Sequence, residues 1–277
     1  MRPVIRPLFL LHGSSVLHER LSRVELDAFR LTVVRGWDEL GAALRRAPGT
    51  AVSVVDPYDA HGELSGELRT LLDELPSSTV LAACEVSPER ADDLRALVRW
   101  GVADIVALGR EDTAPALARR IAAVQGRTIH RLLRRALPRG VPSRARALLI
   151  AAAETVAAGG QSPELAAVLG VNERTVPRWF ERADLPPPRR LLAWLRLLLA
   201  CELLDDPGRS AASVARACGY ASEVSLKAAL RQFMGAPPSE LRERGAFETA
   251  ANRFARELFD LREAARARGK PEKTWLN

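Results

Sequence analysis

Cysteine and histidine are the residue types in this sequence that could bind a metal ion or act as a nucleophile. The three cysteines, Cys84, Cys201 and Cys218, are odd in number and widely spaced, which argues against a disulfide framework or a zinc site. The histidines do not pair with them at ligand spacing; they are His12, His18, His61 and His130. No Ser/His/Asp or Cys/His arrangement has a recognisable spacing, and neither G-x-G-x-x-G nor G-x-x-x-x-G-K-S/T occurs. We therefore expect no metal, no cofactor and no enzymatic activity.

Charge is unevenly distributed along the chain, although the net charge is only +7. Residues 1–126 sum to −3, whereas residues 127–277 sum to +10. A cationic half is what binding to a phosphate backbone requires, because basic side chains displace condensed counterions. Ordinary solvated surface in an arginine-rich protein explains the same charge. The charge therefore matters only where it coincides with other features of the sequence.

The length of 277 residues is typical of two domains, and 47% hydrophobic residues supply enough apolar material for two cores. No apolar run reaches the roughly 20 residues that a membrane-spanning helix needs. Residues 1–11 are too short and too interrupted by proline and arginine for a signal peptide. We expect a cytoplasmic protein without a membrane partner.

Residues 1–126 alternate short apolar runs with helical patterns of about 10–15 residues. The predicted strands are Val4–Leu11, Phe29–Val34, Ala51–Val55, Thr79–Ala83 and Asp104–Ala107. The predicted helices are Ser14–Leu26, Trp37–Ala47, Glu63–Leu75, Pro88–Trp100 and Thr113–Gln125. Five such repeats indicate right-handed crossovers and a doubly wound α/β fold with a parallel sheet.

The C-terminal half shows no strand pattern and is predicted to be all-α. Ser162, before Pro163, is a predicted helix N-cap, and further N-cap candidates are Asn172, Ser210 and Ser222. Residues 245–269 are predicted to form one amphipathic helix, followed by a frayed end over residues 270–277.

The predicted domains are an α/β domain over 1–126, a basic linker over 127–143, an all-α domain over 144–245, and a C-terminal helix and tail over 246–277. The linker is arginine-rich up to Pro138, where proline and glycine break its helical pattern. Two interpretations are open for it: a basic arm that contacts a nucleic-acid backbone, or a solvated helix between domains.

Two segments of the all-α half are alike, residues 163–180 and residues 212–230. Each has an alanine, a glycine four residues later, a polar cap, and a second helix with two apolar residues four apart. These are Ala166, Gly170, Val176 and Phe180 in the first segment and Ala215, Gly219, Leu226 and Leu230 in the second. A helix-turn-helix needs a small residue at the crossing, a positive-φ residue at the turn and an apolar pair against the core. The opposite face of the second helix is then free to enter a major groove.

The spacing of the two segments favours a combined surface. Gly170 and Gly219 are 49 residues apart, and residues 189–204 between them form a helical run rich in leucine and alanine. A helix of that length spans about 24 Å. With the flanking helices added, the two second helices are predicted to lie about 34 Å apart, which is one turn of B-DNA.

Residues 145–245 resemble the DNA-binding domain of the AraC/XylS family of transcription regulators. The matching pieces are Leu195-Arg196-Leu197 in the connecting helix, Ser213-Val214-Ala215 with Gly219-Tyr220 in the second segment, and the closing run 234–242 with its Gly-x-x-Pro. Two segments at this spacing, with this connection and ending, form a specific pattern. The resemblance says nothing about residues 1–126.

The resemblance implies that the second helix of each segment contacts DNA. By position it assigns Asn172, Arg174, Arg178 and Arg182 in the first segment, and Ser222, Glu223, Ser225, Lys227 and Arg231 in the second. Both Arg174 and Arg178 can bond guanine O6 and N7 in a bidentate way, and Glu223 can accept from cytosine N4. Arg231 would lie near phosphates. The competing interpretation of each residue is an ordinary solvated helix position.

Two positions depart from the family pattern. Pro177 falls inside the first recognition helix, where it removes a backbone donor and crowds the carbonyl of Glu173, so it could bend the helix or weaken this segment. Ala228 stands where arginine is common in the family, which leaves the second segment with few groups for phosphates. Affinity is therefore expected to be modest without dimerisation.

Residues 1–126 resemble, weakly, the receiver domain of two-component systems. The strand–helix rhythm fits, residues 52–56 match the strand that ends in the phosphoacceptor, and residues 101–104 match the Gly-Ala-Asp before the fifth strand. The resemblance makes Asp56 a candidate phosphoacceptor.

The chemistry of a receiver is nevertheless incomplete. Mg²⁺ needs an acidic pair at the end of the first strand, where this chain has His12 and Gly13. Cys84 replaces the Thr or Ser after the fourth strand, and the lysine expected near Gly109 is missing. We expect Asp56 to cap the loop before the following proline rather than to accept phosphate.

Three functions are compatible with these features. The first is a bacterial-type, sequence-specific transcription regulator that binds double-stranded DNA, with the N-terminal domain for dimerisation, sensing or partner contact. A homodimer and contact with RNA polymerase go with this hypothesis. The second is a protein-interaction module that keeps the fold but has lost specific DNA binding, as Pro177 and Ala228 suggest. The third is an active phosphorelay receiver with an output domain.

Overall fold

The computed structural model describes residues 6–23, 29–138, 140–157 and 159–267. Residues 4–5 of the first predicted strand, residues 24–26 of the first predicted helix and the predicted frayed end over 270–277 lie outside this part of the chain. An α/β part is followed by an all-α part, which confirms the predicted fold class. Within the described residues no helix is both long and apolar enough to cross a membrane.

A five-stranded parallel sheet forms the centre of the α/β part. Its strands are β1 (Arg6–Leu11), β2 (Phe29–Val33), β3 (Val52–Val55), β4 (Thr79–Cys84) and β5 (Asp104–Ala107). They lie in the order β2-β1-β3-β4-β5, with every neighbouring pair parallel. From β1 the chain first adds β2 on one side and then crosses over to add β3, β4 and β5 on the other. This change of side is typical of doubly wound folds. The predicted doubly wound sheet is therefore confirmed.

Helices cover both faces of this sheet. They are α1 (Ser15–Ser22), α2 (Trp37–Arg46), α3 (Gly66–Glu74), α4 (Ala91–Trp100) after a 3₁₀ turn, and α5 (Ala114–Ala136). Val54 packs in a cluster with residues of α1 and α5, whereas its neighbour Val55 packs in a second cluster with residues of α2, α3 and α4. Successive strand side chains point to opposite faces, so the apolar residues of the strands contribute to two cores.

Helix α5 is longer than the sequence predicts. The predicted end at Gln125 is wrong, because the helix continues to Ala136 and stops before Pro138. Leu132, Leu133 and Ala136 are buried in the core of the all-α part. One continuous helix therefore contributes to the cores of both parts of the molecule.

The arginines at the end of α5 turn toward the protein. Arg131 and Arg135 lie 3.8 Å and 3.7 Å from the Glu202 carboxylate. Arg135 also bonds Glu248 at 2.8 Å and lies over the ring of Phe247. These contacts favour the interdomain-helix interpretation of this basic stretch over a free arm.

Eight helices make up the described all-α part. They are α6 (Ser143–Ala157), α7 (Ser162–Val168), α8 (Val176–Arg182), α9 (Pro188–Leu204), α10 (Ala211–Ala217), α11 (Glu223–Met234), α12 (Pro238–Glu243) and α13 (Ala246–Ala267). The central helix is α9, whose buried Trp194 contacts the rings of Phe233 and Phe254 and donates to Glu257 at 2.8 Å. The other helices pack around it, so α9 fixes where they lie.

Most helix caps are where the sequence predicts them. The side chains of Asn172, Ser210 and Ser222 each accept a bond from a backbone N–H in the first turn, as predicted. The N-cap of α7 is Gln161 rather than the predicted Ser162. The Gln161 N–H donates to the Glu164 carboxylate at 2.9 Å, as in a capping box. The N-cap therefore lies one residue before the predicted position.

The α/β part packs against the turn between α9 and α10. The carboxylate of Asp206 accepts from the N–H of Ser77 at 3.0 Å and also bonds its hydroxyl. Arg209 donates to the carbonyl of Arg45 at 3.1 Å, and the Gly208 N–H donates to the carbonyl of Glu74 at 2.9 Å. On the α/β side these contacts come from the C-terminal ends of α2 and α3 and from the loop before β4, at the edge of the sheet where its strands begin.

Candidate nucleic-acid interface

Helices α7 and α8 meet in a tight turn. Gly170 has φ +66°, and the N–H of Val171 bonds the carbonyl of Ala166 at 3.0 Å. This closes the C-terminal end of α7 with the six-residue bond of a glycine-ended helix. Ala166 is buried where the two helices cross.

Helices α10 and α11 repeat this turn residue for residue. Gly219 has φ +72°, and the N–H of Tyr220 bonds the carbonyl of Ala215 at 2.8 Å. Ala215 is buried in the same way as its counterpart. The two segments that look alike in the sequence therefore share the same local geometry.

One face of each second helix is held in the core. Val176 and Phe180 of α8 are buried, as are Leu226 and Leu230 of α11. All four belong to the same apolar cluster as α9. Because residues four apart lie on one face of a helix, the opposite faces of α8 and α11 are turned to solvent.

The predicted contact residues of the first segment are all exposed; they are Asn172, Arg174, Arg178 and Arg182. The Asn172 side chain is partly used, since it accepts from the N–H of Arg174 at 3.0 Å. In the described part of the chain no carboxylate pairs with any of the three guanidinium groups. Arg174 in the 3₁₀ turn before α8, and Arg178 and Arg182 on α8, are therefore available for an anionic partner.

Pro177 lies in the first turn of α8, after a 3₁₀ turn over Glu173–Thr175. The first N–H groups of an α-helix have no acceptor within it, so a proline there costs little. Phe180, one turn later, is fully buried. The helix therefore keeps its packing against the core despite the proline.

The second segment is more nearly neutral. Lys227 pairs with Glu223 at 2.5 Å, while Arg231 is exposed. Ser222 and Ser225 cap the helix together, since the Ser225 hydroxyl accepts from the Ser222 N–H at 3.0 Å and donates to its carbonyl at 2.7 Å. Four of the five predicted residues, all except Arg231, thus already have partners within this segment.

Val224 is a surface residue that sequence reasoning missed. Its side chain is 74% exposed, between Glu223 and Ser225 in the first turn of α11. An apolar residue two positions before the buried Leu226 is out of phase with the core face, and this was the available signal. It gives the exposed face an apolar group beside its polar ones.

Comparison with known families matches residues 165–244 to a family described as a helix-turn-helix domain. Those residues form an AraC-type helix-turn-helix domain. The match covers both turns, all of α8 to α12 and most of α7. No curated protein matches the chain.

Two solved structures are similar at low identity. Full-length FixJ from B. japonicum is 14% identical, with 72% of this chain and 97% of that chain covered and a TM-score of 0.31. The response regulator StyR is 15% identical, with 68% and 96% covered and a TM-score of 0.26. At such scores neither likeness says anything about the fold or the role of this chain.

Outside the AraC-type domain, Asp56 follows β3, where a receiver would hold its phosphoacceptor. Its carboxylate accepts from the N–H of Tyr58 at 3.0 Å, which is the bond of a loop cap. His12 lies 3.8 Å away and is held on both sides: Nδ1 accepts from the Ser14 N–H at 3.0 Å, and Nε2 is 3.2 Å from the Ala83 carbonyl. The imidazole occupies the place of an acidic pair.

Two further features of this edge are a buried thiol and an arginine stacked on a tyrosine ring. Cys84 is buried, and this burial raises the pKa of its thiol to about 11, so it stays protonated at neutral pH. Arg90 lies over the ring of Tyr58 at 4.0 Å. Among the residues that the structure describes, no group of three His, Cys, Asp or Glu side chains is placed to hold a metal ion.

Proposed function

We propose that this protein is a sequence-specific transcription regulator that binds double-stranded DNA and reads two adjacent major-groove segments with α8 and α11. The observation that carries this proposal is the repeated turn geometry. Two helix-turn-helix units, each with its second helix exposed on one face, are attached to the single rigid helix α9. A helix presented in this way fits the width of a major groove.

The two units would contribute unequally. Arg174 and Arg178 have no ion-pair partner among the residues that the structure describes, and they suit guanine O6 and N7. Lys227 would have to leave Glu223 to reach a base or phosphate, which lowers its net contribution. We expect the first unit to supply most of the salt-dependent affinity and the second to supply mainly selectivity.

The α/β part would act in dimerisation, sensing or partner contact in the cytoplasm, and a homodimer would add the affinity that the second unit lacks. RNA polymerase is a candidate partner. We expect no phosphorylation of Asp56, since its carboxylate caps a loop and His12 stands where a receiver holds its acidic pair. Regulation through the AraC-type domain, rather than catalysis, is the role that fits these features.

The test is a selection of fragmented genomic DNA with the full chain. We expect enrichment of a motif that spans two groove segments, and loss of enrichment in the double variant Arg174→Ala/Lys227→Ala. Arg95→Ala, at an exposed arginine of α4, is the matched control and should behave as the wild type. Specific affinity should fall steeply with salt.

A second candidate function is a protein-interaction module that has lost specific DNA binding. Ala228 and the internal Glu223–Lys227 pair favour it, whereas Pro177 does not, because it lies in the first turn of α8 where a proline costs little. It predicts no enriched motif from a folded chain, and a cellular role that survives the double substitution. Either result would reject the regulator.

A further inference from the structure

A cavity of about 290 Å³ lies where the α/β part meets both helix-turn-helix units. One wall is the loop over Pro48–Thr50 that follows α2. A second comes from the end of α6 and the start of α7, and the third from α9 and the end of α10. The Thr50 hydroxyl bonds the carbonyl of Ala157 at 3.2 Å across this junction, which holds two of the walls together.

The lining of this cavity is cationic. It contains two arginines, Arg196 from α9 and Arg216 from α10, and no acidic residue. Arg196 is half-buried, and among the described residues its side chain makes one bond, a long one of 3.5 Å to the carbonyl of Gly160. Arg216 is exposed and has no ion-pair partner in the described part of the chain. Burial raises the pKa of the Cys218 thiol to about 12, so this lining residue adds no negative charge.

The remaining walls are mostly apolar or backbone. Pro48, Val156, Leu199 and Ala217 supply apolar surface, while Gly49, Gly159 and Gly219 expose main chain. Guanidinium groups bind carboxylates and phosphates in a planar, two-bond geometry. A cavity lined by two cations and otherwise mostly by apolar or backbone groups suits a small amphipathic anion.

We infer that this cavity binds a small organic oxyanion, with its carboxylate or phosphate at Arg196 and Arg216 and its apolar part against Pro48 and Leu199. The occupant would touch the α/β part, Gln161 at the N-cap of α7, and Gly219 at the turn of the second unit. Its binding would therefore couple the position of the α/β part to the positions of α8 and α11. The effect on DNA rests on the proposed function, but the binding does not.

The test uses the full chain without DNA and three probes that share a phenyl ring. Phenyl phosphate, benzoate and neutral benzamide are titrated by calorimetry and by ligand-observed NMR. The two charged probes should bind at least about tenfold more tightly than benzamide, since charge-assisted bonds to arginine supply the difference. Whichever charged probe binds more tightly identifies the anionic group that the cavity prefers.

Substitutions locate the binding. Arg216→Gln, at an exposed position, should weaken the charged probes about tenfold without changing the melting temperature. Arg196→Gln should do the same, and Arg196→Lys should bind at an intermediate level because it keeps the charge but not the two-bond geometry. Arg119→Gln, at an exposed arginine of α5 outside the cavity, should match the wild type.

Three results would overturn the inference. They are equal affinity for benzamide and the charged probes, equal weakening by Arg119→Gln and the cavity variants, and no binding of either charged probe at millimolar concentration by the folded protein. A protein that binds the anions but selects no DNA would refute the proposed function and leave the cavity assignment intact.

Discussion

Val224 is more exposed than any other large hydrophobic residue in the described part of the chain. Its isopropyl group lies in the first turn of α11, beside the Glu223–Lys227 pair, on the face that is turned away from the core. In a major groove the apolar group that distinguishes one base from the others is the 5-methyl of thymine. We expect Val224 to contact that methyl, and the contact follows from exposure rather than from charge.

Replacing thymine by deoxyuridine in the half of the selected site bound by α11 should weaken the wild type about fourfold, the value of one buried methyl group. Val224→Ala should bind thymine and deoxyuridine sites equally well. Val168→Ala, at an exposed valine of α7, is the control and should keep the fourfold difference. Competitive binding measurements decide the point, and an undiminished difference in Val224→Ala would contradict the contact.

Some contact positions could be predicted from the sequence and others could not. The exposed arginines of the first unit were predictable because the repeated alanine–glycine spacing fixes the helix phase. The Ser225 bonds and the Glu223–Lys227 pair were not, since both depend on rotamers at the start of α11. From the sequence, His12 was notable only because it stands where an acidic residue was expected. Its ring contacts with the Ser14 N–H and the Ala83 carbonyl, at the edge of the sheet where the strands end, could not be predicted.

The turns of the two helix-turn-helix units depend on two glycines with positive φ, Gly170 and Gly219, and substitutions at these glycines test that dependence. Gly170→Ala and Gly219→Ala should each destabilise the protein by about 1–2 kcal/mol, because an L side chain is disfavoured at positive φ. A Cβ atom would meet nothing within 4 Å at either position, so the cost is conformational and not steric.

The control for these turns is Gly66→Ala at the start of α3, where φ is ordinary and space is equally open. It should stabilise the protein by about 0.5–1 kcal/mol. Denaturant unfolding of the three variants gives the comparison. Equal effects at all three glycines would mean that the turns do not depend on the left-handed conformation.

Element boundaries were predictable where the sequence pattern is simple. The buried strands β3 and β4 are short and mostly apolar, and their ends agree with prediction to one residue. The helical pattern up to Pro138 was predictable, but its continuity with α5 was not, because four arginines among residues 127–135 suggested a separate basic linker. The buried Leu132, Leu133 and Ala136 continue the apolar face of α5, since Ala136 follows the two leucines by four and three residues.

At the scale of the whole molecule, the AraC-type domain is docked on the edge of the sheet where the strands begin. Asp56 lies at the opposite edge, where the strands end. This arrangement could not be predicted, because it depends on bonds from Arg45, Arg209 and Asp206 to groups more than a hundred residues away. The docking surface is thus separate from the candidate phosphoacceptor.

The Asp206–Arg209 pair at this surface is almost completely buried and is 3.0 Å long. Asp206→Ala should cost about 3–5 kcal/mol, because it leaves the Arg209 charge buried without a partner. Asp92→Ala, which removes the ion-pair partner of the exposed Arg95, should lower the free energy of unfolding by no more than about 1 kcal/mol. Calorimetric unfolding should show one transition in the wild type and two in Asp206→Ala; a single unshifted transition would show that the pair does not hold the two parts together.

The central claim is that α8 and α11 read one DNA site together, and hydroxyl-radical footprinting of the full chain on its selected site tests it most directly. The account predicts two protected segments on one face of the duplex, about 10 base pairs apart. In Arg174→Ala/Arg178→Ala only the segment bound by the first unit should lose protection. A single protected segment in the wild type, or none, would contradict the account.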